Sequence, residues 1–347
     1  MPHSARELTT HVHGETPLRR AIPRRPGLWV PLGIVSILLM AAWFKEAASP
    51  SNSQISPAHA MSTVAPHYAS TSFWNTPIAA GAAIDSNSSG MIAYAIGAYG
   101  SRAVLSNDNA WGIGYIYADA NSKTYTVACT MYCTGDTVAF PIPSGAKPST
   151  GSDHHLAVIN GNQELDMWDA TYDAGKDSWS AGVRTVTSIT GSGANCPPGQ
   201  HCLGAVAAGF AMLGGSLRPE EIAQGHIDHA LALLTPATRS GYIACPATGS
   251  DGKSINANAI PEGARVQLDP AFNVDAQSWT AWQKTIAHAL QTYGAYVVDT
   301  GGAMALYGVT DMNQGNVTWS SVGMSKAPSL SFLPWNSFRV LQIHSCN

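Results

Sequence analysis

Basic side chains are scarce beyond the first sixty residues. Six of the 18 Lys and Arg, and three of the 22 Asp and Glu, fall in residues 1–60, which leaves 12 basic against 19 acidic residues, or −7 with His neutral. Proteins that hold phosphate backbones need a basic footprint, and none exists here, so nucleic acid is excluded as a partner. Charge of either sign is sparse, at 12% of the chain. Gly, Ser, Thr, Ala and Asn carry the surface instead, which suits a turn-rich extracellular β protein. A nucleophile elbow, a phosphate loop and a dinucleotide fingerprint are all missing, and no cofactor is expected. The cysteine spacings C-x3-C and C-x5-C lack the paired geometry of a zinc ribbon, so no metal is expected either. No internal repeat is present.

What stands out first is one uncharged apolar run of 17 residues, Leu28 to Phe44, preceded by Arg19, Arg20, Arg24 and Arg25 and closed by Lys45 and Glu46. Positive charge ahead of an apolar run is the export pattern, with the positive flank left inside. The run is short for a membrane-spanning helix, which needs about 20 residues, and Pro31 shortens it further. Two fates follow. Cleavage at the small-x-small site Ala58-His59-Ala60 releases the chain, whereas an uncleaved segment anchors it to the outer face of the membrane. Residues 1–60 are therefore read as targeting segment and linker, and 61–347 as a single extracellular β-rich domain.

All six cysteines lie in the exported part, and an even number in an oxidising compartment predicts bridges. Proximity favours Cys129–Cys133 and Cys196–Cys202, which leaves Cys245–Cys346 to tie the C-terminal tail to the body.

Short runs rich in β-branched and aromatic residues recur from Ser70 onward: 114–118, 124–129, 137–142, 155–159 and 163–168. Gly, Asn, Asp or Pro bounds each, and Asn160-Gly161 between two of them predicts a hairpin. The expected fold is mainly β, a jelly-roll-like β-sandwich with one or two short-to-medium helices packed on it. Residues 191–215 read as a long loop pinned by Cys196 and Cys202. A short helix is expected from Leu217-Arg218-Pro219-Glu220-Glu221, ended by Gly225. A longer one is expected over 276–292, capped by Asp275 or Ser278, with Trp279, Trp282, Ile286 and Leu290 on its apolar face and Gly294 as terminator. It leads into a buried strand over 295–299.

The densest polar cluster is Asp153-His154-His155 followed by Glu164-Leu165-Asp166-Met167-Trp168-Asp169. On a strand Glu164, Asp166 and Trp168 share one face, and two carboxyls with an aromatic suit glycosidic cleavage, the middle acid Asp166 raising its neighbour's pKa. His226 and His229 are a turn apart, with Asp228 placed to orient an imidazole, but no third metal ligand stands nearby. A histidine beside a tyrosine also suits elimination from a uronate. Arg265 and Gln267 share a strand face with Asp269, a clamp for a carboxylate or sugar.

The segments Ser152-Asp153-His154-His155-Leu156-Ala157-Val158, Gly225-His226-Ile227-Asp228-His229-Ala230-Leu231 and Tyr293-Gly294-Ala295-Tyr296-Val297-Val298-Asp299 resemble a group of secreted bacterial proteins of unassigned activity. The likeness extends over roughly residues 140–305. It implies that His155, Glu164, His229 and Asp299 occupy one shared scaffold. An Arg-His pair that the group carries after a Trp-Pro-Ala step is absent, and Ala244-Cys245-Pro246-Ala247-Thr248 stands in its place. Glu164 to Asp169 also resembles, in part, the E-x-D-x-(x)-E pattern of jelly-roll glycosidases, with Asp169 where the third acid is a Glu. The expected activity is cleavage of an extracellular polysaccharide, with Glu164, Asp166, His155 and His229 catalytic and Trp168, Arg265 and Asp299 against the substrate. A lyase using His229 and a tyrosine, and a non-catalytic glycan- or wall-binding protein using Trp168 and Trp179 as platforms, are the alternatives.

Overall fold

The short β-branched runs become strands where the sequence places them. The computed structural model describes residues 64–346 apart from 100, 101, 134, 198, 203 and 314–316. The apolar run at 28–44 and the Ala58-His59-Ala60 site lie outside the described residues, among which no helix is long and apolar enough to cross a membrane. In chain order the elements are α1 (Ser88–Tyr99), β1 (Ala103–Ser106), β2 (Gly114–Tyr117), β3 (Lys123–Cys129), β4 (Val138–Ile142), β5 (Leu156–Asn160), β6 (Gln163–Trp168), β7 (Thr171–Asp173), β8 (Ser178–Ala181), β9 (Val183–Ser188), α2 (Pro219–Gln224), β10 (Leu231–Thr235), β11 (Arg265–Leu268), α3 (Ala281–Thr292), β12 (Ala295–Thr300), β13 (Met304–Tyr307) and β14 (Phe338–Val340).

The chain is mainly β with few helices, as its composition and strand spacing lead one to expect. Two four-stranded sheets, β2-β5-β6-β9 and β4-β3-β8-β7, form a sandwich, and β1-β13-β10-β12-β11-β14 form a third sheet. The sheets are mixed: β2–β5, β3–β8, β1–β13 and β10–β12 pair parallel. The expected hairpin joins β5 to β6, with Asn160 opposite Gln163 and Gly161 at φ 56°. A positive φ there is the twist a two-residue hairpin demands, and glycine meets it without strain.

Alternation along the strands divides the interior in two. Leu156 and Val158 of β5 and Leu165 and Met167 of β6 meet Val127, Phe140, Ile142 and Trp179 inside the sandwich. The opposite face of β5 and β6, with Ala157 and Ile159, belongs to a larger core shared with the six-stranded sheet, α3, and Trp74. Trp179 is therefore core and only 4% exposed, which corrects its reading as a stacking platform. Trp74 fits because Gly214 stands against it. A Cβ on Gly214 would lie 2.4 Å from the indole nitrogen.

Helix α2 starts and stops as its sequence dictates, with Pro219 at its first position and Gly225 left-handed after its end. Helix α3 begins later than its apolar period suggests. Gln283 reaches back to accept the Thr280 N–H at 2.9 Å, so Thr280 rather than Asp275 or Ser278 is the cap. Trp279 lies outside the helix and stacks on Phe272.

Three disulfides, Cys129–Cys133, Cys196–Cys202 and Cys245–Cys346, account for every cysteine and suit an extracellular protein. Cys245–Cys346 spans 101 residues. In the chain-entropy model a loop of that length stabilises by about 4.7 kcal/mol. Replacing both cysteines by serine should lower the unfolding free energy by several kcal/mol in urea titrations. An unchanged midpoint would mean that the backbone pairing of Cys245 with His344 and Cys346 with Ile243 holds the tail without the bond.

Candidate functional site

A cleft of about 670 Å³ opens where the six-stranded sheet meets the end of β6. Its floor is one face of the sheet: Val104 and Ser106 of β1, Ala305 and Tyr307 of β13, Leu234 of β10 and Asp299 of β12. Small side chains at 106 and 305 leave the room that larger ones would fill.

The wall is built around Trp168. His154 (φ 42°) and Asp169 (φ 53°) both adopt left-handed backbone where β5 begins and β6 ends. The Asp169 N–H donates to the Asp153 carbonyl at 2.8 Å, and the Asp169 carboxyl pairs with the His154 ring at 3.2 Å. This kinked corner puts Asp153 and Trp168 on the cleft. Gly182 makes space for the indole, since a Cβ there would come within 2.7 Å of the ring. The Cys129–Cys133 bridge closes a tight loop, whose Tyr132 N–H donates to the Gly182 carbonyl. Tyr132, 54% exposed, therefore stands beside Trp168 with ring centres 6.2 Å apart. Trp111, 48% exposed, completes the aromatic rim, its N–H held by the Asp108 carboxylate.

At one end of the floor the carboxyl oxygens of Asp251, Glu262 and Asp299 lie within 4.8 Å of one another, an arrangement that could hold a metal ion. Asp299 accepts from the Thr300 and Ala207 N–H groups. Asp251 accepts from the Thr300 hydroxyl at 2.9 Å, and its own N–H donates to Glu262. Burial, then contact with Asp251 and the charge of Asp299, pushes the Glu262 carboxyl up to about 9. Burial and the neighbouring Asp251 raise Asp299 to about 7, with Asp153 adding to the rise.

The expected catalytic acids lie elsewhere. Glu164, Asp166 and Trp168 share one face of β6, as alternation requires, but only Trp168 reaches the cleft. Glu164 and Asp166 are fully buried under residues 205–213. Glu164 accepts the Tyr68 hydroxyl and the Leu213 N–H, and Asp166 accepts the Met212 N–H at 3.2 Å. Burial raises both carboxyls, and Glu164 lifts Asp166 further. The placement corrects the expectation that they face a groove: they are the polar floor of a strap.

His155 sits beneath the cleft, its Nε2 3.2 Å from the Ala205 carbonyl and its ring edge-on to Tyr307. Burial lowers its pKa. His229 is remote from the cleft lining. Its Nε2 pairs with Glu221 at 2.9 Å and its Nδ1 faces the Ala230 carbonyl. Glu221 also binds Arg218, whose guanidinium reaches His67 and the Ala65 carbonyl. Against the upward push of burial, His229 and Arg218 hold the Glu221 carboxyl well below the usual range. His226 turns outward to Asp228 at 3.3 Å, so the two histidines do not converge on a metal. Arg265 is a brace rather than a clamp. It donates to the Tyr293 and Thr76 carbonyls and lies over the Tyr296 ring.

Of the expected site residues, then, Trp168 and Asp299 line the cleft and His155 supports it. Asp153, Asp251, Glu262, Trp111 and Tyr132 were not assigned from sequence. Asp299, which was assigned, lies near the end of the apolar strand β12, just before Gly301-Gly302.

Glu262 and Asp299 titrate above the ordinary carboxylate range, so the unfolded chain releases their protons first as pH rises. Stability should fall between about pH 4 and pH 9, with a slope of about 1.4 kcal/mol per pH unit for each group in its window. Urea midpoints measured across that range should show Glu262→Gln with a flatter decline than wild type. Parallel curves would place the Glu262 carboxyl in the ordinary range.

No family model, curated protein or solved structure matches the chain.

Proposed function

We propose that this is a secreted or surface-anchored carbohydrate-active protein that cleaves glycosidic bonds of an extracellular polysaccharide in the aromatic-rimmed cleft. The observation that carries the reading is the Asp299 carboxyl, raised to about 7 on the cleft floor, with Asp153 close enough to contribute to the rise. A carboxyl that keeps its proton near neutrality is what a general acid requires. Asp299 would give its proton to the glycosidic oxygen as the C–O bond breaks. Water would add to the anomeric carbon and lose a proton to a second carboxyl, for which Asp153 is the candidate. Trp168, Trp111 and Tyr132 offer flat apolar faces for sugar rings. The three disulfides and the export-like N-terminal run support an extracellular setting.

Glycan binding without cleavage is a second reading, favoured by the exposure of Trp111 and Tyr132 at the mouth.

Digestion of a glycan panel, read by reducing ends and by the absorbance of unsaturated uronates, separates these readings. Wild type should release reducing ends, and Asp299→Asn should lower the rate by about 10²–10⁴-fold, the usual contribution of a general acid. Glu164→Gln should alter stability more than rate. Uronate absorbance would replace hydrolysis by elimination, and binding without any product would leave the non-catalytic reading.

A further inference from the structure

The charge of the cleft narrows the kind of glycan it accepts. Among the described residues that line it, the ionisable side chains are Asp153, Asp251, Asp299 and two tyrosines. None is Lys, Arg or His. Glu262 lies directly behind, its oxygens within 4.8 Å of those of Asp251 and Asp299. Among the described residues none of these four carboxyls takes part in an ion pair. The buried Glu221, by contrast, is answered by the Arg218 guanidinium.

An anionic polymer, a uronate or a sulfated sugar, would meet the uncompensated carboxylates of Asp153 and Asp251 there. A cationic sugar would meet the opposite: carboxyls for its ammonium and the indole and phenol faces of Trp168, Trp111 and Tyr132, which attract a cation as well as a ring face. We infer that the cleft selects a glycan bearing free amino groups, a polymer of de-N-acetylated amino sugar, over neutral and acidic polysaccharides. The inference rests on the carbohydrate reading above and specifies its substrate class.

Binding, which does not need turnover, tests it. Oligosaccharides of glucosamine, of N-acetylglucosamine and of a uronic acid, matched in length, are titrated calorimetrically into the full chain at mildly acidic pH, where the amines carry charge. A chelator is included so that no divalent cation competes for the carboxyls. The glucosamine oligomer should bind at least about tenfold more tightly than its acetylated form, a difference of one decade in Kd, and its affinity should fall with added salt. The uronic acid oligomer should bind most weakly. Asp251→Asn, which changes an exposed side chain, should reduce the glucosamine preference, and Asp251→Glu should preserve it. Equal affinity for the amino and acetylated forms, or preference for the uronic acid, would overturn the inference while leaving glycan cleavage standing. Absence of binding by all three would overturn both.

Discussion

The two carboxyls buried on the inner face of β6 organise the rest of the molecule. Glu164 and Asp166 have no exposure, and an unsatisfied carboxyl in that position would cost several kcal/mol. Their partners are backbone N–H groups of Leu213 and Met212 and the Tyr68 hydroxyl. These bonds fix the path of the segment between β9 and α2, whose described residues form no helix or named strand. The same segment presents the Ala205 carbonyl to His155 and the Ala207 N–H to Asp299. Enclosed acid thus shapes the cleft from behind, without lining it.

The two acid clusters differ in how their charge is met. Beneath the strap, burial raises both Glu164 and Asp166, and neutral donors meet all of their oxygens but Asp166 Oδ1. Around Glu221, the His229 ring and the Arg218 guanidinium hold it ionised. At the cleft the aspartates have neither remedy in full, and Asp299 is left poised near neutrality. Low dielectric and like charge, rather than any special geometry, account for the difference.

Strands and bridges were legible because they depend on local pattern. The runs at 114–118, 124–129, 137–142 and 163–168 and the Asn160-Gly161 turn follow from period-two alternation and turn chemistry. Cysteine pairing followed from proximity. Helix α1, built from Ser88–Tyr99, was not legible: its apolar residues are spread around the helix and it lacks an acidic first turn. The face shared by Glu164, Asp166 and Trp168 was legible. That a distant segment would seal two of the three was not, because nothing in β6 records what folds over it. Asp251 lies on a Gly/Ser loop without period, and only the tertiary approach of Glu262 and Asp299 gives it meaning.

Both ends of the described chain are built into the body. Near its start, Tyr68 caps Glu164 and Trp74 lies in the core, while at its finish Cys346 is bonded to Cys245. Exopeptidases attack frayed ends. Nibbling from either side would stall within a few residues of the last exposed position, so trimming should converge on a sharp, resistant core rather than a ladder of shortened forms.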